Sequence, residues 1–451
     1  MEKMNGGEIM GIQWTNKEVV HLLLRAGFGS TKEEVAACLA LGQVETVRRL
    51  VAGEDLVDTA PKLASFEQFQ ADGKKKLDPL QLVDQQMYWL HRMVNSPAPL
   101  IEKMTLFWHG HFATANYKVK DTSLMVRQNE LFRKYALGNF KKLLTEIGKD
   151  PAMMIWLDVN QNKKGKPNEN YAREVMELFT LGIGHYTETD VKESARAFTG
   201  WAYNKTEDKV NYNAKQHDND TKTLLGESGK LDADDVIEIL FHQKSLPTFL
   251  AEKLLTFYAT DTPSESWIQT VAALITQKNT IGEVLQALFL SEEFYAEKYR
   301  LALIKTPADY IAGILKCCKL SVAKGHAQAM RKMGQELFVP PDVAGWRGGV
   351  TWLNTNCLLA RYQFVEGIAK QMNGQLLTSA EFTPEQTDSA LAWLKIWAQR
   401  MGITDLSSQT LQSLSSYAED TIVHNKQSKQ KTAGLRGLLQ LVLISPEAQM
   451  K

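Results

Sequence analysis

The chain has 451 residues, with 52 basic and 52 acidic side chains and a formal net charge of zero. Its 44% hydrophobic and 23% charged residues sit near the globular average and exclude wholesale disorder. Balanced charge argues against binding driven by neutralising nucleic-acid phosphates, so no nucleic-acid partner is expected.

From the N-terminus, the first 20 residues lack the unbroken apolar stretch of a signal peptide. No later segment approaches the apolar run that a membrane span needs. The expectation is a cytoplasmic protein without membrane contact, the alternative being an exported one whose leader has been removed. Apolar residues recur at three- and four-residue spacing over 81–93, 100–109, 123–137, 169–181 and 191–201. The same spacing returns over 246–258, 267–275, 281–290, 308–317, 352–372, 390–400 and 435–444. Start and stop signals agree with helices there. Thr306-Pro307 opens one, Ser264 caps another, and Gly138 and Gly182 end two more. Only 223–225 reads as a strand. The fold class is all-α, with a large multi-helix N-terminal lobe over 12–300 and a smaller C-terminal helical lobe over 301–451.

Three segments interrupt the pattern: a charged loop at 71–78, a polar loop at 160–168 and a long Asp-, Asn- and Lys-rich stretch at 203–230. A connection as long as the last is expected to be a lid or a disordered excursion. The stretch 339–349 forms a strap in which Pro340 and Pro341 fix φ while Gly345, Gly348 and Gly349 permit positive φ, which suits a structural corner. A weak echo links 285–293 with 439–447, as two helices sharing one stop signal would. Cys38, Cys317, Cys318 and Cys357 show no Cys-x-x-Cys spacing and read as reduced, buried thiols.

The sharpest chemical constellation is Trp108-His109-Gly110-His111-Phe112 together with Glu174-x-x-Glu177 and His185. Imidazole and carboxylate together suit iron, zinc or manganese, which makes His109, His111 and Glu174 the candidate ligands. Glu177 is then the fourth ligand or general base, and His185 a ligand or acid. With Val175, Leu178 and Phe179 facing a core, Glu174 falls at the edge of the apolar arc, nearer the interior than Glu177. His109 and His111, two apart, oppose each other on a regular helix and converge only if Gly110 breaks it. The competing reading is a structural polar network, with Arg173 on Glu177 and Arg127 or Arg196 on Glu174. A cleft is expected where 127–140 and 168–201 meet the 109–111 turn, with Arg127, Arg173, Arg196 and Trp201 as ligand-binding candidates, and a lid at 203–230 adds His217 and Asp218. No phosphate loop, dinucleotide fingerprint or nucleophile elbow is present.

Three stretches carry a resemblance: Arg127-Gln128-Asn129-Glu130-Leu131-Phe132, Ala136-Leu137-Gly138-Asn139-Phe140, and Asn170-Tyr171-Ala172-Arg173-Glu174-Val175-Met176-Glu177-Leu178-Phe179. With Ala195-Arg196-Ala197-Phe198-Thr199-Gly200-Trp201 they resemble the large bacterial family known as domain of unknown function 1800, over nearly the whole chain. The resemblance implies no catalytic residue, because the family is uncharacterised. Family genes often lie beside those of proteins similar to sulfatases and alkaline phosphatases, which implies a shared pathway or complex. Many members are longer and exported. The expected function is a binding or scaffolding partner of such a sulfatase/alkaline-phosphatase-like protein. The alternative is a metal-dependent hydrolytic or oxidative enzyme using the His/Glu cluster.

Overall fold

The computed structural model of the chain describes residues 12–57, 63–71, 75–372, 390–403, 406–424 and 428–451. The first eleven residues, read above for a leader, and 72–74 of the charged loop lie outside the described residues. The described residues form an all-α protein of 20 α-helices with three two-stranded antiparallel ribbons.

The chain opens with α1 (Asn16–Ala26) and α2 (Lys32–Ala52), then the ribbon β1 (Gln70–Ala71) with β2 (Lys75–Lys76). Next come α3 (Leu82–Asn95), α4 (Pro99–His111), α5 (Asn116–Val119) and α6 (Thr122–Lys134). They lead into α7 (Phe140–Ile147), α8 (Pro151–Trp156), α9 (Asn170–Glu177) and α10 (Glu188–Ala197). Beyond the remaining ribbons lie α11 (Ala233–Phe241), α12 (Ser245–Tyr258), α13 (Glu265–Gln277) and α14 (Ile281–Leu290). The C-terminal third holds α15 (Pro307–Cys317), α16 (Lys324–Lys332), α17 (Thr355–Gln371), α18 (Ala390–Arg400), α19 (Ser408–Ala418) and α20 (Ser428–Ile444).

Local chemistry sets these boundaries. Thr15, Thr31, Thr187, Thr280 and Thr306 each accept from the first-turn backbone while an acidic residue three positions on closes the reciprocal bond. Ser264 caps α13 through the Trp267 N–H, as its position suggested. The echo between 285–293 and 439–447 is a shared helix ending: α14 and α20 each run into a short 3-10 turn, Glu293–Tyr295 and Glu447–Gln449.

Some expectations need correction: α6 ends at Lys134 and α9 at Glu177, short of Gly138 and Gly182. The periodic stretch 191–201 is not helical to its end. α10 stops at Ala197, Thr199 Oγ1 donates to the Arg196 carbonyl, and Gly200 at φ +96° turns the chain so that Trp201 starts a strand. A side chain at Gly200 would crowd the Asn213 carbonyl, so glycine is required there. The segment 203–230 is folded, and not a disordered excursion. β3 (Trp201–Asn204) pairs with β4 (Lys209–Tyr212), and β5 (Lys222–Leu224) with β6 (Glu227–Gly229).

The centre of the molecule is α4. Eleven of its thirteen residues are buried, among them Glu102, Lys103, His109 and His111. A helix apolar on all sides is covered on all sides; α3, α6, α1 and α2 pack on it. One continuous apolar cluster runs from Val19 to Ala448. No helix among the described residues is long and apolar enough to cross a membrane.

Candidate functional site

His109 and His111 sit near the C-terminal end of α4, which stays helical through Gly110 to His111. Nine residues from Glu102, His111 lies about 180° round the helix, while His109, seven residues on, lies within about 20° of it. The two imidazoles therefore face opposite sides. His109 Nε2 accepts from the Phe338 N–H at 3.0 Å, with the Trp89 and Trp346 rings edge-on. His111 Nε2 lies 3.1 Å from the Phe179 carbonyl, to which it donates, and its ring stacks on Phe107. Burial holds both imidazoles neutral and lowers each pKa to about 3. The condition set by Gly110 is not met, so His109, His111 and Glu174 are not brought together. The described residues hold no group of three or more His, Cys, Asp or Glu placed to share an ion.

What His109 does is hold the strap. Phe338 adopts φ +65°, an uncommon conformation for a bulky residue, and both its backbone groups are engaged. Its N–H donates to His109 and its carbonyl accepts from Asn116 at 2.9 Å. Seven residues on, Gly345 at φ +77° lies against Gly110 so closely that a Cβ would overlap the Gly110 carbonyl oxygen. This close backbone approach requires glycine at 345, whereas a Cβ at 110 would meet nothing nearer than the Trp346 ring at 4.0 Å.

The Glu174–Glu177 pair occupies α9 and its end. Burial raises the Glu174 carboxyl to about 7, the Glu177 charge adding to the rise and Arg173 opposing it. Tyr186 donates its hydroxyl to Glu177. Arg173 is bound elsewhere, to Glu188 at 2.7 Å and Glu169 at 3.3 Å, and does not pair with Glu177 as the structural alternative required. His185 is exposed in the turn after α9.

The other expected residues fall into separate settings. Arg196 grips Asp218 through Nε at 2.8 Å and Glu193 through Nη1, so it does not neutralise Glu174. His217 is buried, its Nδ1 3.0 Å from the Thr199 carbonyl, and the Asp218 N–H donates to Thr199 Oγ1 at 2.8 Å. Both residues pin the ribbon segment to the end of α10. Arg127 is half-exposed and reaches Asp208 at 3.4 Å. Trp201 lines a recess of about 30 Å³, with the Lys149 ammonium 5.1 Å from its ring.

A larger cleft, of about 340 Å³, opens between α3 and α6. At its floor Glu102 is fully buried and receives four donors: Arg92 Nε at 2.7 Å, Arg133 Nε at 2.9 Å, Arg133 Nη2 at 3.0 Å and Trp89 Nε1 at 3.2 Å. Asn129 and Glu130 of α6 form one wall, and Tyr88, Trp89 and Phe338 supply rings. Sequence reasoning missed this site. Two signals were present: Glu102-Lys103 interrupts an otherwise apolar helix, and Val126, Asn129, Glu130 and Arg133 share one face of α6 at three- and four-residue spacing.

This arrangement defines an all-α protein built around a helix with eleven of its thirteen residues buried. The chain matches the family described as Protein of unknown function (DUF1800) over residues 21–450, and it belongs to that family. No curated protein and no solved structure matches it.

Proposed function

We propose that this chain is a binding or scaffolding partner of a sulfatase/alkaline-phosphatase-like protein. One observation carries the reading: an apolar face left open on α17 and the turn before it. Leu358, Leu359 and Tyr362 are 45%, 55% and 45% exposed, and Val350 77%. The three helical positions fall within about 100° of arc, one coherent face. Contiguous exposed apolar surface of this kind marks association sites. The polar groups support the same reading, since each α4 imidazole is engaged by backbone and Glu177 by Tyr186.

The test is sedimentation of the purified chain mixed with its sulfatase/phosphatase-like neighbour, compared with a Leu359→Glu/Tyr362→Glu variant. A complex weakened at least tenfold in the variant, about 1.4 kcal/mol, supports the reading. Equal affinity would move the interface off α17, and no complex for the parent would end the partner reading.

The raised carboxyl of Glu174 favours a second reading, metal-free proton transfer at the Glu174–Glu177–Tyr186 cluster. A substrate turned over by the parent and lost with Glu174→Gln, while Glu188→Gln retains activity, is its test.

A further inference from the structure

The cleft between α3 and α6 holds two donor groups with no acceptor among the described residues, the buried Asn129 amide and the partly exposed Arg92 fork. Asn129 is 5% exposed; its Oδ1 accepts from Arg133 Nη2 at 2.7 Å, which fixes the amide orientation. Its Nδ2 then points two hydrogens at no acceptor. An orphaned buried donor carries a desolvation penalty, which an acceptor entering the cleft would remove. Arg92 uses only Nε, on Glu102, so its two terminal nitrogens have no acceptor among the described residues. Glu102 cannot serve a ligand, because two guanidiniums and an indole already occupy its oxygens.

The charge around these donors limits what they accept. The Glu102 charge is shared by Arg92 and Arg133, and Arg133 also binds Glu130 at the rim at 2.6 Å. Glu67 adds a second rim carboxylate. Two negative rim groups disfavour a doubly charged anion, whereas the free arginine fork matches the two oxygens of a carboxylate. Beside the fork stand Tyr88, its ring centroid 5.9 Å from the Arg92 guanidinium, and Phe338. A volume of about 340 Å³ takes a small molecule, not a polymer segment.

We propose that this cleft binds a small organic carboxylate. Its two oxygens meet the Arg92 fork and the Asn129 amide, and its flat apolar body lies against Tyr88 and Phe338. The site uses helices other than α17, so it stands apart from the partner reading and survives that reading's failure.

Saturation-transfer NMR on the full chain tests it with benzoate, cyclohexanecarboxylate, benzamide and inorganic phosphate. The carboxylates should bind with Kd below about 1 mM, at least tenfold tighter than benzamide or phosphate. Asn129→Asp keeps the bond to Arg133 but replaces the free donor with an acceptor, and should weaken benzoate at least tenfold. Glu130→Gln, on the exposed rim, leaves the fold alone and should tighten benzoate. The proposal is overturned if no carboxylate saturates, if phosphate or benzamide binds as well as benzoate, or if neither variant shifts the affinity in the stated direction.

Discussion

At the scale of single residues, α4 shows how ionisable side chains are buried, each imidazole being engaged by one backbone group. Its two imidazoles are held neutral, with pKa values near 3 against an ordinary 6.5. Between those values the unfolded chain binds more protons than the folded one, so stability is lost as pH falls from about 6.5 towards about 3. Each imidazole is expected to remove about 2 kcal/mol between pH 6.5 and pH 5. Urea unfolding at the two pH values checks this, and His111→Phe should flatten the dependence by one imidazole's share. Glu174 has the opposite sign. Its folded pKa of about 7 exceeds the ordinary 4.5, so its contribution is present below about 4.5 and lost as pH rises through 7. Glu174→Gln should flatten stability across that window. Both placements were only partly legible. The apolar arc on α9 put Glu174 half inside, as observed, but that α4 runs unbroken through Gly110 is decided by the packing around it, and local spacing carries no such information.

At the scale of elements, helical periodicity located α3, α4, α6, α12 to α15, α17, α18 and α20, because that rule is local, but it passed over α1, α19 and the 21-residue α2. The misreadings lie where tertiary contacts decide. The 203–230 segment is polar enough to suit a disordered excursion, yet Arg196, Thr199 and Asn213 hold it as two ribbons. The strap from Phe338 to Gly345 is fixed to α4 by one imidazole and one glycine pair. Gly345→Ala, at φ +77° and against the Gly110 carbonyl, should cost about 2–4 kcal/mol, readable as a fall in Tm. Glu102→Gln removes the only charge that Arg92 and Arg133 share at the cleft floor and should cost about 3–5 kcal/mol. A loss under about 1 kcal/mol in denaturant unfolding would mean that this floor is hydrated.

For the molecule as a whole, α4 also ties the N-terminal and C-terminal parts together. Lys103 donates to Asp309 of α15 and to the Gly27 carbonyl, while Lys451 donates to the other Asp309 oxygen at 2.6 Å. The two ammonium groups hold the Asp309 carboxyl well below its usual range against the opposing effect of burial. Arg361 of α17 joins the same region through the Lys305 carbonyl and Gln449. Residues 12–300 and 301–451 are therefore expected to unfold in one transition, and two calorimetric transitions would show lobes that melt separately. Asp309→Asn, which leaves two buried ammonium groups facing a neutral amide, should lower the single Tm by several degrees.

The α4 imidazoles are neutral and face opposite ways, each engaged by backbone. Long-range ¹H–¹⁵N NMR of the imidazoles tests it most directly. The account predicts opposite tautomers, with His109 protonated at Nδ1 and His111 at Nε2. Neither should titrate above pH 5 or shift when zinc or manganese is added. Titration of both near 6.5, or a joint shift on adding either metal, would contradict it.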